Sequence, residues 1–211
     1  MNRFTEARFL LSAAAATQFP ADSGAEVAFA GRSNSGKSSA INAILGRRAL
    51  ARTGKTPGQT RLINFFELGP GERVVDLPGY GYAQVPERER REWGPLIEAL
   101  RFRQSLRGLF LIVDARRGLG DEDRQLIDWA DPSLRSVHVL LSKTDKLNRA
   151  EATQALKSAR GALGARASVQ LFSALRGTGV EEARRVFIGW LAGESLSRSS
   201  GAQVDDPGVA Q

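Results

Sequence analysis

Residues 31–38, Gly31-Arg32-Ser33-Asn34-Ser35-Gly36-Lys37-Ser38, fit the pattern G-x-x-x-x-G-K-[ST] and stand between two runs of different character. Ahead lies Val27-Ala28-Phe29-Ala30, apolar throughout, which reads as a buried strand. Behind lies Ser39-Ala40-Ile41-Asn42-Ala43-Ile44-Leu45, whose Ile41, Ile44 and Leu45 share one helical face. Strand, glycine loop and helix in that order are the context the motif needs. The loop then belongs at the carboxyl end of a strand, where open α/β sheets bind their ligands. Glycines let backbone N–H groups converge on phosphate oxygens, and the helix N-terminus adds positive potential. On that reading Lys37 reaches the β- and γ-phosphates and the Ser38 hydroxyl holds Mg²⁺.

The rest of the chain repeats the alternation. Strands are expected at Val27–Ala30, Leu62–Leu68, Arg73–Asp76, Gly108–Asp114, Ser136–Ser142 and Ser168–Phe172. Three of them, 109–113, 137–141 and 169–172, read as buried on both faces. Helical patterns fall near 38–46, 86–106, 121–130, 149–163 and 179–193, with Pro95 marking a kink or a new first turn. Within 86–106, Trp93, Ile97 and Leu100, with Leu96 beside them, read as a core face. This pattern predicts a three-layer α/β fold around a mostly parallel six-stranded sheet. Residues 1–24 read as a lead-in with a helical patch around Ala7–Ala16, 25–194 as the nucleotide-binding domain, and 195–211 as a disordered tail. His138, the single histidine, sits inside an apolar run and reads as a packed or edge residue rather than a catalyst.

Composition narrows the setting. The 211 residues suit one domain with tails and hold no cysteine, which excludes disulfides and thiolate metal sites. No secretory signal is visible, and no stretch approaches the roughly 20 apolar residues of a membrane span, so a cytoplasmic protein is expected. Lys and Arg number 30 against 23 Asp and Glu, a formal charge of +7. That favours an anionic partner such as RNA or acidic lipid. Basic residues cluster after the glycine-loop helix (Arg47, Arg48, Arg52, Lys55, Arg61) and again at Arg88, Arg90, Arg91, Arg101, Arg103 and Arg107.

Three further motifs stand at strand ends. Asp76-Leu77-Pro78-Gly79 closes the run Val74-Val75. An acid there can hold Mg²⁺ through water, and the Gly79 N–H can approach the γ-phosphate because no side chain intervenes. Ser142-Lys143-Thr144-Asp145 follows Leu141. A carboxylate at Asp145 can accept from N1–H and the 2-amino group of guanine, a donor pair adenine lacks, while the Lys143 stem packs over the base. Ser173-Ala174 follows Phe172 and places the Ala174 N–H where guanine O6 can accept. A kinase or ATPase fits Asp145 poorly.

The ordered set GRSNSGKS, KTPGQTR, DLPGYGY, SKTD, SAL resembles the EngB family of small GTPases, within the TrmE–Era group, over about residues 20–192. The resemblance implies a Ras-like G domain and a GTPase acting in assembly of the large ribosomal subunit, with links to cell division and septation. It implies partners in pre-ribosomal particles or ribosomal RNA, not DNA or a membrane, and a monomer. It adds Thr60 as the switch threonine closing on Mg²⁺. The expected nucleotide contacts are then Gly31, Arg32, Ser33, Asn34, Ser35, Gly36, Lys37, Ser38 and Ser39, followed by Gly58, Gln59, Thr60, Arg61 and Leu62 and by Asp76, Leu77, Pro78 and Gly79. Ser142, Lys143, Thr144, Asp145 and Lys146 read the base, together with Phe172, Ser173 and Ala174. Mg²⁺ would take Ser38, Thr60 and Asp76; hydrolysis would use Lys37, Thr60, Gly79 and Asn34.

Two departures carry consequences. The base-reading motif commonly begins with Thr or Asn, whereas here it begins with Ser142. Ras-like enzymes place a water-orienting glutamine just after Asp-x-x-Gly; this chain has Tyr80, which cannot act in the same way, so slow turnover is expected. In TrmE-type relatives an asparagine at the position of Asn34 helps bind K⁺, which implies K⁺-assisted hydrolysis. The loops 53–62 and 79–86 should respond to the γ-phosphate. A second functional class also fits: a nucleotide-stabilised RNA-binding scaffold whose hydrolysis is incidental.

Overall fold

The computed structural model describes residues 3–51, 62–80, 95–130 and 136–194. Its strands are β1 (Arg8–Ala13), β2 (Ala25–Gly31), β3 (Ile63–Gly69), β4 (Glu72–Asp76), β5 (Leu106–Asp114), β6 (Ser136–Ser142) and β7 (Ser168–Leu171). Its helices are α1 (Lys37–Leu45), α2 (Asp121–Ala130), α3 (Arg149–Leu163) and α4 (Val180–Leu191), with a further helical segment at 95–101 that begins, among described residues, at Pro95. Among the described residues one sheet runs in the order β1-β3-β4-β2-β5-β6-β7. The β1–β3 and β3–β4 pairs are antiparallel; every other pair is parallel.

Side-chain alternation along each central strand builds the three layers. Val27 and Phe29 of β2, and Phe110 and Ile112 of β5, join a core with Ile41, Ile44 and Leu45 of α1 and Phe187 and Trp190 of α4. Ala28 and Ala30, and Leu109, Leu111 and Val113, face the opposite core with Leu96, Leu100, Ile127 of α2 and Leu163 of α3. Gly108 is required where α4 lies on β5: a Cβ there would stand 2.5 Å from the Trp190 ring. Leu96 and Leu100 are buried and Ile97 partly so, as the core face predicts; Trp93 lies outside the described residues.

Among the described residues the sheet has seven strands rather than the six expected. The extra strand is β1, which occupies the patch expected to be helical around Ala7–Ala16. Cross-strand pairing overrides the local helix-forming alanines: Arg8 pairs with Glu67, Phe9 meets Phe66 edge-on at 5.9 Å, and the Ser12 hydroxyl donates to Asn64 Oδ1 at 2.6 Å. Only Ala16–Gln18 forms a helical turn there. The segment 168–171 is also less buried than its apolar content suggests, because β7 is an edge strand with Val169 and Leu171 half-buried. His138 is packed as expected. Its ring nitrogens lie 2.6 Å from Ser168 Oγ and 2.8 Å from Gln170 Oε1, and burial lowers its pKa.

At the amino ends of the strands, Glu26 is fully buried and accepts from Arg73 Nε at 2.7 Å and from Arg103 Nε and Nη2 at 2.7 and 2.8 Å. Arg103 also lies over the rings of Phe19 and Phe65. This cluster ties the amino ends of β4 and β2 to the segment that leads into β5, at the end of the sheet opposite the glycine loop.

Candidate functional site

The carboxyl ends of β2, β4, β6 and β7 carry the glycine loop and the DLPG, SKTD and SAL motifs. Gly31 ends β2, and a Cβ on it would stand 2.6 Å from the Ile112 carbonyl oxygen, so only glycine fits between β2 and β5. The loop turns through Asn34 (φ 62) and Gly36 (φ 100) into α1, which starts at Lys37. Glycine at 36 meets the left-handed backbone without strain. Ser38 is half-buried and Ser39 exposed at the helix start. The Lys37 ammonium donates to Asp76 at the end of β4.

Residues 77–80 continue beside the glycine loop. Leu77 N–H donates to Phe29 O at 2.9 Å and Ser33 N–H to Tyr80 O at 2.8 Å. Leu77 and Pro78 are buried. A Cβ on Gly79 would meet Ser33 Oγ at 2.9 Å and the Ser33 backbone at 3.3 Å, which explains the glycine on packing grounds alone. The Tyr80 hydroxyl donates to Asp123 of α2 at 2.6 Å. Burial, then the Asp123 charge, pushes that phenol far above its ordinary pKa, so it remains a neutral donor. Arg32 pairs with the neighbouring Glu122 at 3.1 Å.

The loop expected to read the base follows β6. Ser142, where Thr or Asn is common, braces the loop: its hydroxyl lies 2.5 Å from Ser35 O and 3.1 Å from Val113 O. Lys143 adopts φ 60, and its ammonium donates to Asn34 O and, at 3.1 Å, to Asp114 Oδ2. Thr144 binds Phe172 O through both its N–H (3.3 Å) and its hydroxyl (3.0 Å), joining this loop to the one after β7. The Ser173 hydroxyl donates to Asp145 Oδ1 at 2.6 Å and holds its pKa below the usual carboxylate range. Lys146 and Ala174 are exposed. The SKTD and SAL motifs are thus one unit, and the Lys143–Asn34 contact fastens it to the phosphate loop.

Asp114 was not found by motif. It ends β5 opposite Ser142 and is buried. Arg116 clamps it through Nε (2.9 Å) and Nη2 (2.7 Å). Burial alone would raise its carboxyl; the hydrogen bonds from Arg116 and Lys143 outweigh that and hold it well below the ordinary value. An acid closing a buried strand was the only signal. Asp123 likewise gave none, being one acid among several at the start of a helix.

Gly58, Gln59, Thr60 and Arg61 lie outside the described residues, as do most of the loops 53–62 and 79–86, Arg88, Arg90 and Arg91, and the segment 195–211. Leu62 is half-buried just before β3. One member of the basic clusters is corrected: Arg103 is buried on Glu26 and serves the fold, and Arg101 pairs with Glu98 at 3.2 Å. Arg48 stays exposed. Among the described residues no three His, Cys, Asp or Glu gather to hold an ion. The hard oxygens of Ser38 and Asp76 still suit Mg²⁺, which commonly takes one or two protein oxygens and completes its shell with phosphates and water. Among the described residues no helix is long and apolar enough to cross a membrane.

Comparison with known proteins agrees with this geometry. Residues 26–143 match the family model described as 50S ribosome-binding GTPase. A probable GTP-binding protein EngB of Azoarcus sp. (strain BH72) is 55% identical over 196 residues, covering 90% of this chain and 94% of that protein. A probable GTP-binding protein EngB of Aromatoleum aromaticum is 54% identical over 192 residues, 89% of each. A crystal structure of a probable GTP-binding protein engB matches with a TM-score of 0.61 at 22% identity, covering 81% of this chain and 100% of that one, a likeness of fold.

Proposed function

The chain belongs to the EngB family of GTP-binding proteins, and from that premise we propose that it is a guanine-nucleotide switch in assembly of the large ribosomal subunit, hydrolysing GTP slowly to GDP and phosphate. A role in cell division and septation belongs to the same reading. The observation that supports it is the Lys143 ammonium on the Asn34 carbonyl. That contact ties the base-reading loop to the phosphate loop, so a ligand carrying both guanine and phosphates spans the two.

The residues divide the work. Asp145, set by Ser173, accepts the guanine N1–H and 2-amino donors, and the Ala174 N–H donates to O6. The glycine-loop N–H groups and Lys37 cradle the phosphates, Lys37 exchanging Asp76 for the β- and γ-oxygens. Ser38, Asp76 and Thr60 would hold Mg²⁺. Bound there, Mg²⁺ neutralises phosphate charge during phosphoryl transfer. Gly79 senses the γ-phosphate. Tyr80 is anchored on Asp123 and has no proton-accepting role, in keeping with slow intrinsic turnover. Asn34 contacts K⁺. The net charge of +7 suits an RNA-rich partner, pre-ribosomal particles bound in the GTP state.

Calorimetry in Mg²⁺ with GTP, GDP and ATP, on wild type and Asp145→Asn, tests the switch. Guanine binding without ATP binding, and loss of that preference in the variant, is expected. Equal ATP binding, or an indifferent variant, refutes the base-reading assignment. Particle binding that ignores the difference between GTP and GDP would favour the scaffold reading instead.

A further inference from the structure

We propose that Asp114 is a positioning residue for base recognition: together with the Asn34 carbonyl it pins the Lys143 ammonium and so fixes the lysine stem on which the guanine face packs. The proposal rests on the guanine-switch reading and deepens it. A lysine is a flexible four-carbon stem with a compact charge at its tip. Free to rotate, it is a poor wall for a flat base, because binding must first restrict it. Here the tip meets Asn34 O and lies 3.1 Å from Asp114 Oδ2, while the left-handed backbone at Lys143 fixes the root. Both ends of the stem are set before a ligand arrives.

Asp114 is itself held. Its backbone is locked opposite Ser142 in the β5–β6 ladder. Its side chain is 8% exposed, and Arg116 fixes both carboxylate oxygens from the solvent side. The chain of contact therefore runs Arg116, Asp114, Lys143 and then base. Asp145, in contrast, is set by Ser173. The base thus has two supports that arise independently: one for its hydrogen-bonding edge and one for its face.

The test is a double-mutant cycle on GDP and GTP affinity with Asp114→Asn, Lys143→Ala and the pair. Asp114→Asn keeps the shape and removes the charge. It should weaken GDP and GTP alike, by about tenfold, leaving their ratio unchanged, since the γ-phosphate is not involved. In the Lys143→Ala background the same change should cost less than about twofold, because Asp114 acts through the lysine. Losses that multiply, or an Asp114→Asn variant with wild-type affinities, overturn the proposal. Should Asp114→Asn fail to fold, Arg116→Ala carries the same cycle. Arg116 is 46% exposed, and the expected result is weaker GDP binding only while Lys143 is present. A wild type that binds ATP as well as GTP would overturn the guanine reading itself, whereas multiplying losses in a guanine-specific protein overturn only the role of Asp114.

Discussion

Glu26 offers the sharpest test of what holds the sheet together. Replacing it with Ala removes three charge-assisted hydrogen bonds, from Arg73 Nε and from Arg103 Nε and Nη2. Both arginine side chains are nearly buried, at 11% and 7% exposure, so their charges lose their counter-ion in a poorly solvated place. Removing one partner of a buried pair costs about 3–5 kcal/mol. Here the low end applies. Arg73 keeps the Ala21 carbonyl at 3.0 Å, and Arg103 keeps those of Pro20 and Ala21 at 3.0 and 3.2 Å. A loss of about 3 kcal/mol in a chain of this size lowers Tm by about 6–12 °C. Scanning calorimetry without nucleotide measures it. GDP affinity should stay unchanged, since Glu26 lies at the amino end of β2 and the glycine loop at its carboxyl end. Glu26→Gln, which keeps one acceptor and the shape, should fall between. A Glu26→Ala protein melting within about 2 °C of wild type would refute the argument that this cluster stabilises the amino ends of β4 and β2 against the segment before β5.

Gly79→Ala should weaken GTP about tenfold more than GDP in direct binding measurements, because the new methyl crowds Ser33 beside the N–H proposed to meet the γ-phosphate; equal losses would separate Gly79 from that role. The Asp22 carboxyl would be raised by burial, but hydrogen bonds from Ser105 and Gln104 bring it down to about 2 from 3.8. Its stabilising contribution is therefore present above about pH 4 and lost as pH falls toward about 2. The urea midpoint of wild type should exceed that of Asp22→Asn near neutrality and converge with it in that acid window; a gap independent of pH would disprove the linkage. GTP turnover should be faster in K⁺ than in Na⁺ at equal ionic strength, with the difference lost in Asn34→Ala; equal rates in the two salts would remove K⁺ from the mechanism.

How far the chain could be read follows from how far its signals are local. The glycine loop, the Asp-Leu-Pro-Gly turn and the SKTD and SAL loops each fill a few consecutive residues, and each sits directly after an apolar run. Contiguity is what periodicity detects, so the parallel core strands β2, β5 and β6 and their order with the helices were legible. The 1–24 segment was not. Its alanines favour a helix locally, but the edge of β3 presents Glu67, Phe66 and Asn64 to Arg8, Phe9 and Ser12. Nor could spacing show that β7 is a half-buried edge strand.

The same division runs through the site. The amino-acid sequence by itself determined which groups are present: a glycine loop of the phosphate-binding pattern, an acid suited to guanine's paired donors, and a tyrosine where glutamine is usual. Tertiary structure alone decided how those groups are held. Lys143 meets Asn34, 109 residues away; Tyr80 meets Asp123, 43 away; Arg103 meets Glu26, 77 away. Such partners are brought together by the sheet's strand order, which places β5 between β2 and β6. A buried charge must find its counter-charge wherever the fold puts one, and neighbours along the chain carry no trace of that choice.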